Sequence, residues 1–381
     1  MTAEPPLTGL KVLELARVLA GPFAGQTLAD LGADVIKVEA PAGDDTRRWG
    51  PPWIDHDGER AAAYYHACNR GKRSITANFR TGEGRDLVRR LAARSDVVIE
   101  NFKHGGLAKY GLDYAALSAI NPRLVYCSIT GFGHTGPYAD LAGYDFIVQG
   151  MSGLMDLTGD PDGTPQKVGI AIADLLTGLY GVIAIQAALA QRERTGKGQH
   201  IDLALMDCMT GVMTNQAMNY LVTGKAPHRM GTTHPNIVPY QAFPVSDGYL
   251  IIAVGNDAQY RRLVELLQME AGRAERFATN AGRVEHRAEL VSLIAGEARN
   301  WKRADLLEAC KAHTIPAGPI NTLADVFSDP QVIERELKIL ADGVPGIRTP
   351  ITFTNGRLEL GLPAPRLDQH RSEILTELQE S

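Results

Sequence analysis

Over the first 130 residues, short β-branched runs alternate with amphipathic stretches, and this alternation constrains the fold more than any other feature. Residues 11–15 (KVLEL), 34–39 (DVIKVE), 96–100 (DVVIE) and 124–129 (LVYCSI) read as strands. Such apolar runs are typical of parallel strands buried on both faces. Residues 22–31 and 83–94 read as helices, the second with Leu87, Val88 and Leu91 on one face and basic residues opposite. Pro22 suits a first-turn position, where its missing N–H would be unpaired anyway. This pattern implies βαβ units, a doubly wound sheet and the α/β fold class.

Downstream, a long apolar helix is expected over 175–194, closed by Thr195-Gly196-Lys197-Gly198. A strand at 200–205 and a helix at 206–221 follow. Beyond Pro227 the stretch RMGTTHPNIVPYQAF is interrupted by prolines and lacks helical period. A strand at 249–254 and helices over about 257–270 and 284–311 then suggest a smaller α+β domain. The expected division is 1–225, a large domain; 226–325, the small domain; and 326–381, an extended segment that returns to the first and ends in a short helix. A chain of 381 residues is long enough for two cores.

Composition removes several function classes. The net charge of −5 does not suit a nucleic-acid surface. Cys68, Cys127, Cys208 and Cys310 form no CxxC pair, and the histidines show no HxxxH spacing, so no metal is expected. Widely spaced cysteines suit a reducing compartment, and a cytoplasmic location is expected. The start MTAEPPLTGLKVLEL carries no signal-peptide pattern, and Asp174 and several glycines break residues 169–191, so no membrane span is expected.

Four features could carry chemistry. The turn Ala16-Arg17-Val18-Leu19-Ala20-Gly21-Pro22 precedes a helix N-terminus, where free amides and the macrodipole favour an anion. It is not GxGxxG, which disfavours a nicotinamide site although Glu39 stands where a ribose-binding acid would. Basic residues cluster past strand ends, among them Lys37, Arg47, Arg48, Arg70, Lys72, Arg73, Arg80, Lys103 and Lys109. Ligands of open α/β sheets sit at those ends, so the cluster is either a polyphosphate site or a solvated surface. Gly131-Phe132-Gly133 is a glycine-rich loop or a plain turn. Asp174, a lone charge in GIAIADLLTGLYGVIAIQ, is either the N-cap of the following helix or a reactive carboxylate.

Seven motifs stand together in order: LTGLKVLELARVLAGPFAGQTLADLGADVIKVEAP, NRGKRSI, VVIENF, GFGHTGPY, GYDFIVQGMSGLM, GIAIADLLTGLYG and TGKGQHIDLALMD. With VPYQAF and IPAGPINTL they resemble the class III (CaiB/BaiF-type) CoA-transferases over almost the whole chain. The resemblance implies a Rossmann-like large domain and an interlocked homodimer. It makes Asp174 the nucleophile, which passes acyl groups through an aspartyl anhydride and an aspartyl-CoA thioester. It places CoA along Val18, Lys37, Arg80, Asn101, Phe102 and Lys109, and substrate near Leu19, Trp49, Tyr64 and Tyr144. It implies no cofactor beyond CoA as substrate, and an acyl-CoA and a small carboxylic acid as partners.

The departures narrow this further. Leu19 stands where formyl-CoA/oxalate members carry glutamine, and their glycine tract is missing near 255–259, against formyl transfer. Racemases of the family carry a GHD element, whereas this chain reads Gly143-Tyr144-Asp145. The wording of GYDFIVQGMSGLMDLTG and RMGTTHPNIVPYQAF is most similar to members using succinyl-CoA and a dicarboxylic acceptor. Arg47, Arg73 and His234 are candidates for its second carboxylate. The competing readings are an α-methylacyl-CoA racemase and a non-catalytic CoA-binding protein.

Overall fold

The computed structural model describes residues 4–380 and divides into two compact units. The first comprises 1–154, 167–225 and 330–381; the second comprises 226–329 and a short excursion, 155–166, that sequence reading left in the large domain.

Six parallel strands form the sheet of the first unit: β1 (Lys11–Glu14), β2 (Asp34–Glu39), β3 (Lys72–Thr76), β4 (Val97–Glu100), β5 (Val125–Thr130) and β6 (His200–Ala204). Their spatial order is 3-2-1-4-5-6, that of the doubly wound dinucleotide-binding sheets. The order reverses between β1 and β4, so the crevice at the carboxyl ends of these two strands is the ligand position the topology favours.

Alternation within the strands feeds two cores. Val12, Val35, Val97, Ile99, Val125, Cys127 and Ile129 point to one face, toward helices α1 (Ala20–Asp30) and α5 (Ile172–Thr195). Leu13, Leu15, Val38, Ile75, Val98 and Tyr126 point to the other, where α2 (Gly82–Ala93), α3 (Tyr114–Ile120) and the terminal helix Arg371–Glu377 close the layer. Each fully buried branched side chain contributes about 1.5–3 kcal/mol.

Strand β3 is an edge that sequence reading did not assign, because KRSIT carries two cations. Lys72 is nevertheless buried, pairing with Glu14 at 2.7 Å and donating to Pro22 O and Asn69 Oδ1. Expected helix 206–221 is two helices, α6 (Leu205–Gly211) and α7 (Thr214–Thr223), broken before Thr214, whose φ is +36°. The segment expected to run extended from Asp329 instead forms a short helix, Pro330–Glu334, and a hairpin, Lys338–Ala341 with Val344–Ile347, before the terminal helix.

Helix α5 is more continuously apolar than the sequence reading allowed. By length and composition it is apolar enough to cross a membrane, with a mean hydropathy of 1.7. It packs on α1, β5 and β6, and Gly178 lets it approach closely, since a Cβ there would lie 2.7 Å from Ala20 O.

The second unit has its own core. Strands Tyr240–Val245 and Gly248–Ala253 pair as a hairpin, with Ala317–Pro319 at the edge, under helices that bury Leu263, Leu290, Ile294 and Leu306. The expected helix 284–311 is three helices, Asn280–Glu285, Arg287–Ala298 and Arg303–Ala312.

Beneath the β1–α1 turn of the first unit lies a buried ionic cluster. Lys37 Nζ, fully enclosed, lies 3.0 Å from Glu14 and 3.1 Å from Asp44 and donates to Ala16 O at 2.9 Å. Burial alone would lower the Lys37 pKa, but Glu14, Asp44 and Glu39 overcome it and raise it. Removing one member of such a cluster strands the others in a poorly solvated site. Lys37→Ala is therefore expected to destabilise the protein by about 3–5 kcal/mol, measured by denaturant unfolding, whereas Lys11→Ala on the exposed start of β1 should change little.

Candidate active site

The β1–α1 turn sits at the switch point and is held from every side. Val18 adopts φ +69°, a left-handed conformation costing a β-branched residue about 1–2 kcal/mol. Its N–H lies 3.2 Å from Asp44 Oδ2, and its carbonyl accepts from the Cys68 thiol at 3.5 Å. Asn101, just past β4, accepts from Arg17 N at 2.8 Å and donates to Arg17 O at 2.7 Å, fastening the turn to the neighbouring strand end. Asp44 also accepts from the N–H and hydroxyl of Thr46. The Asp44-Asp45-Thr46 turn was a local signal for this role that sequence reading missed.

A pocket of about 250 Å³ opens at these strand ends. Lys37, Arg80 and Phe102 line it, beside Arg17, Phe79 and Tyr110. The Arg17 guanidinium sits 5.4 Å from the centre of the Phe102 ring, and Arg80 is exposed. Lys109 is also exposed, its ammonium 5.0 Å from the Tyr110 ring centre. Of the residues that resemblance assigns to CoA, Arg80, Phe102 and Lys109 are thus open to a ligand. Val18 and Asn101 shape the turn, and Lys37 has all three ammonium hydrogens engaged beneath it.

Asp174 is not the N-cap of α5. The helix begins at Ile172, Ala171 occupies the cap position without a side-chain bond, and Asp174 stands in the first turn. The capping is done by Asp145, from α4 (Asp145–Met151): its Oδ1 accepts from Ala173 N at 2.7 Å and its Oδ2 from Gln149 at 2.7 Å. Asp174 has no side-chain hydrogen bond among the described residues. Burial, aided by the charge of Asp145, pushes its pKa up to about 7. A carboxylate that no donor stabilises and that is half ionised near neutrality can act as a nucleophile.

Tyr64 lies in the same field, its hydroxyl pushed up to about 12 by burial and then by Asp174. Trp49 stands edge-on to Tyr64 with ring centres 5.3 Å apart and is exposed. Tyr144, exposed, precedes Asp145. Leu19 is buried as the cap residue of α1, so its side chain belongs to the core and not to an open substrate wall.

The candidates for a second carboxylate are corrected. Arg47 is spent on Glu39 at 2.7 Å and Glu59 at 2.8 Å, with Tyr65 and Pro365 O completing its bonds. Arg73 is held by Asp34, Glu373 and Glu377. His234 belongs to the second unit, where burial and then Arg287 hold its pKa down, and it remains a candidate. All four cysteines are buried and unpaired, and no cluster of metal-ligating side chains occurs among the described residues.

Residues 7–371 match the family described as CoA-transferase family III. A succinate–glutarate CoA-transferase of Agrobacterium fabrum is 57% identical over 385 residues, covering 99% of this chain and 96% of that one. A succinyl-CoA:glutarate CoA-transferase of Mus musculus is 43% identical over 382 residues, covering 98% and 86%. The crystal structure of a CaiB/BaiF family protein from Brucella suis shares 65% identity with a TM-score of 0.90, covering 98% of this chain and 100% of that chain. Matches that run the length of the chain give the switch-point turn and the unpartnered acid a common setting: the chain is an enzyme that belongs to CoA-transferase family III.

Proposed function

We propose that this enzyme moves CoA from succinyl-CoA to a small dicarboxylic acid such as glutarate, with Asp174 as nucleophile. The observation that carries the reading is Asp174 itself, an acid relieved of capping by Asp145, with no hydrogen-bond donor among the described residues and a pKa pushed up to about 7. The names of the Agrobacterium and mouse relatives supply the acyl donor and acceptor class.

The steps balance without a cofactor. An Asp174 carboxylate oxygen attacks the thioester carbonyl, the C–S bond breaks, and CoA leaves as thiolate. The thiolate attacks the aspartyl carbonyl of the anhydride, releasing succinate and leaving an aspartyl-CoA thioester. The acceptor carboxylate then attacks that thioester and expels thiolate. Attack of the thiolate on the acceptor's acyl carbon restores Asp174. Covalent division of the transfer conserves the thioester free energy, and apolar surroundings protect the anhydride from water.

A second copy of the chain would complete that shelter. Phe146 and Ile147 on α4, Leu179 and Ile183 on α5, and Tyr144 and Ile170 just before those helices are large and exposed. An exposed apolar patch of this kind marks an association surface. We take the partner to be a second copy, and a cytoplasmic site of action is part of the same reading.

Asp174→Ala is expected to lower turnover at least ~10³-fold in a succinyl-CoA plus glutarate assay; retained activity would end the nucleophile assignment. Because the ionised form attacks, wild-type kcat should rise with pH through about 7 and then level. Stability runs the other way. The folded acid keeps its proton above its unfolded value of 3.8, so stability falls as pH rises from there toward about 7. Asp174→Asn should consequently stabilise the fold by about 1–2 kcal/mol at pH 8, after allowance for partial exposure. In light scattering the particle should have twice the 41.2 kDa chain mass, and Ile183→Glu should shift it toward the single chain. Solvent deuterium entering the α-carbon of an acyl-CoA without an acceptor acid would favour the racemase instead.

A further inference from the structure

Glu100 closes β4 directly before the Asn101-Phe102 pair, and it is a buried acid without a cation. It is 5% exposed, and among the described residues no Lys or Arg pairs with it. Other acids buried at these strand ends have such partners: Glu14 has Lys37 and Lys72, and Glu39 has Arg47. A lone buried carboxyl is costly unless it is protonated or well bonded. Glu100 Oε2 accepts from Phe102 N at 2.7 Å, bending the chain back at the switch point. Ser128 stands opposite Glu100 on the neighbouring strand β5, and its hydroxyl favours the charged form of the same carboxyl. Ser128 Oγ, itself buried, lies 2.9 Å from His200 Nε2.

This chain of contacts leads out of the core. His200 stacks on Tyr114 with ring centres 5.2 Å apart, and its ring centre lies 5.1 Å from that of His134. Glu100, Ser128, His134 and His200 line one pocket of about 390 Å³. Two hydrogen-bond patterns satisfy the row with the same number of protons. In one, ionised Glu100 accepts from the Ser128 hydroxyl, which accepts from the Nε2–H of a His200 imidazolium. In the other, protonated Glu100 donates to Ser128, whose hydroxyl donates to unprotonated Nε2. Passing between them moves one proton from His200 to Ser128 and one from Ser128 to Glu100, which leaves His200 neutral with its proton on Nδ1 and gives the carboxyl at the pocket wall a path for its proton through His200.

We propose that Glu100 is a positioning residue for acyl-CoA: its carboxylate fixes the Asn101-Phe102 turn through the Phe102 N–H, and Ser128 and His200 connect its proton to solvent. The proposal rests on CoA binding at that turn, as the proposed function has it. An ionised acceptor makes the stronger hydrogen bond, so the turn is firm when Glu100 is charged and looser when it is neutral. Several titratable groups face the carboxyl. Tyr126 and Cys127 on β5 are both held neutral by burial and by Glu100. His200 on β6 has its pKa lowered by burial and by His134, as does His134 by burial and by His104. Asp113 and Lys103 stand at the pocket wall. Burial raises Glu100 to about 7, against the bonds from Ser128 and Phe102 N, which places its charge change in the physiological range.

Binding of free CoA, measured by calorimetry between pH 6 and 8.5, tests this apart from turnover. Wild-type affinity should fall as pH drops through about 7, and Glu100→Gln should bind about 3- to 10-fold more weakly at pH 8 while losing that part of the pH dependence. The ionisation of the ligand's own phosphate is common to both proteins and cancels in their difference. In steady state the loss should fall on KM for the acyl-CoA and not on kcat. Ser128→Ala removes a donor to the charged form and should move the midpoint to higher pH, and it serves as the test if Glu100→Gln does not fold. Glu100→Gln binding that parallels wild type at every pH, or an unmoved midpoint in Ser128→Ala, would overturn the proposal and leave the nucleophile assignment standing. A wild type that binds no CoA at all would instead overturn the functional reading beneath it.

Discussion

The enclosed ammonium of Lys37 is the constraint on which the rest of the first unit depends. It touches the end of β1 through Glu14, the turn through Ala16 O and the next loop through Asp44. Asp44 in turn holds Val18 in a conformation that a valine would not otherwise keep. Glu39 accepts from Asp44 N and pairs with Arg47, whose guanidinium reaches Pro365 O near the end of the chain. Charges in a poorly solvated site cannot be moved singly, so the cluster fixes strand ends, turn and C-terminal segment relative to one another.

The small residues of α1 follow from the same cluster. A Cβ at Gly25 would fall 1.9 Å from Glu14 Oε2, and one at Gly21 would lie 2.3 Å from Ala16 Cβ. The motif AGPFAG is thus a surface cut to fit an ionic core. Helix α5 then lies on α1 through Gly178, which ties the depth of α5 to that of the turn. The turn and Asp174 are set by one stack of close contacts, although they lie more than 150 residues apart in sequence.

Much of the central sheet was legible because β-branched runs buried on both faces report themselves. Strand β2 spans the residues its sequence marks, β1 and β4 are a residue shorter at one end, and β5 is shifted by one residue. Strand β3 was hidden because a lysine neutralised by a distant glutamate has the same letter as one in water. Arg47 and Arg73 looked available for a ligand for the same reason. The partners of Arg73 include Glu373 and Glu377, about 300 positions away, and no local pattern announces them. Asp174 was conspicuous as the lone charge of its apolar run, and of the two roles the sequence left open the cap falls to Asp145, which lies in another helix. Family resemblance, and not spacing, is what singles Asp174 out as the proposed nucleophile.

The separation of two aspartates at the start of α5 has a consequence for durability. A helix whose cap was also its nucleophile would lose that cap, worth about 1 kcal/mol, whenever the carboxylate was esterified. Here the acid that anchors Ala173 N belongs to α4 and is not consumed in the chemistry proposed. The helix end is therefore indifferent to whether Asp174 is free, acylated or joined to sulfur. Each covalent form can be held by one rigid frame, and the backbone need not be rebuilt between half-reactions.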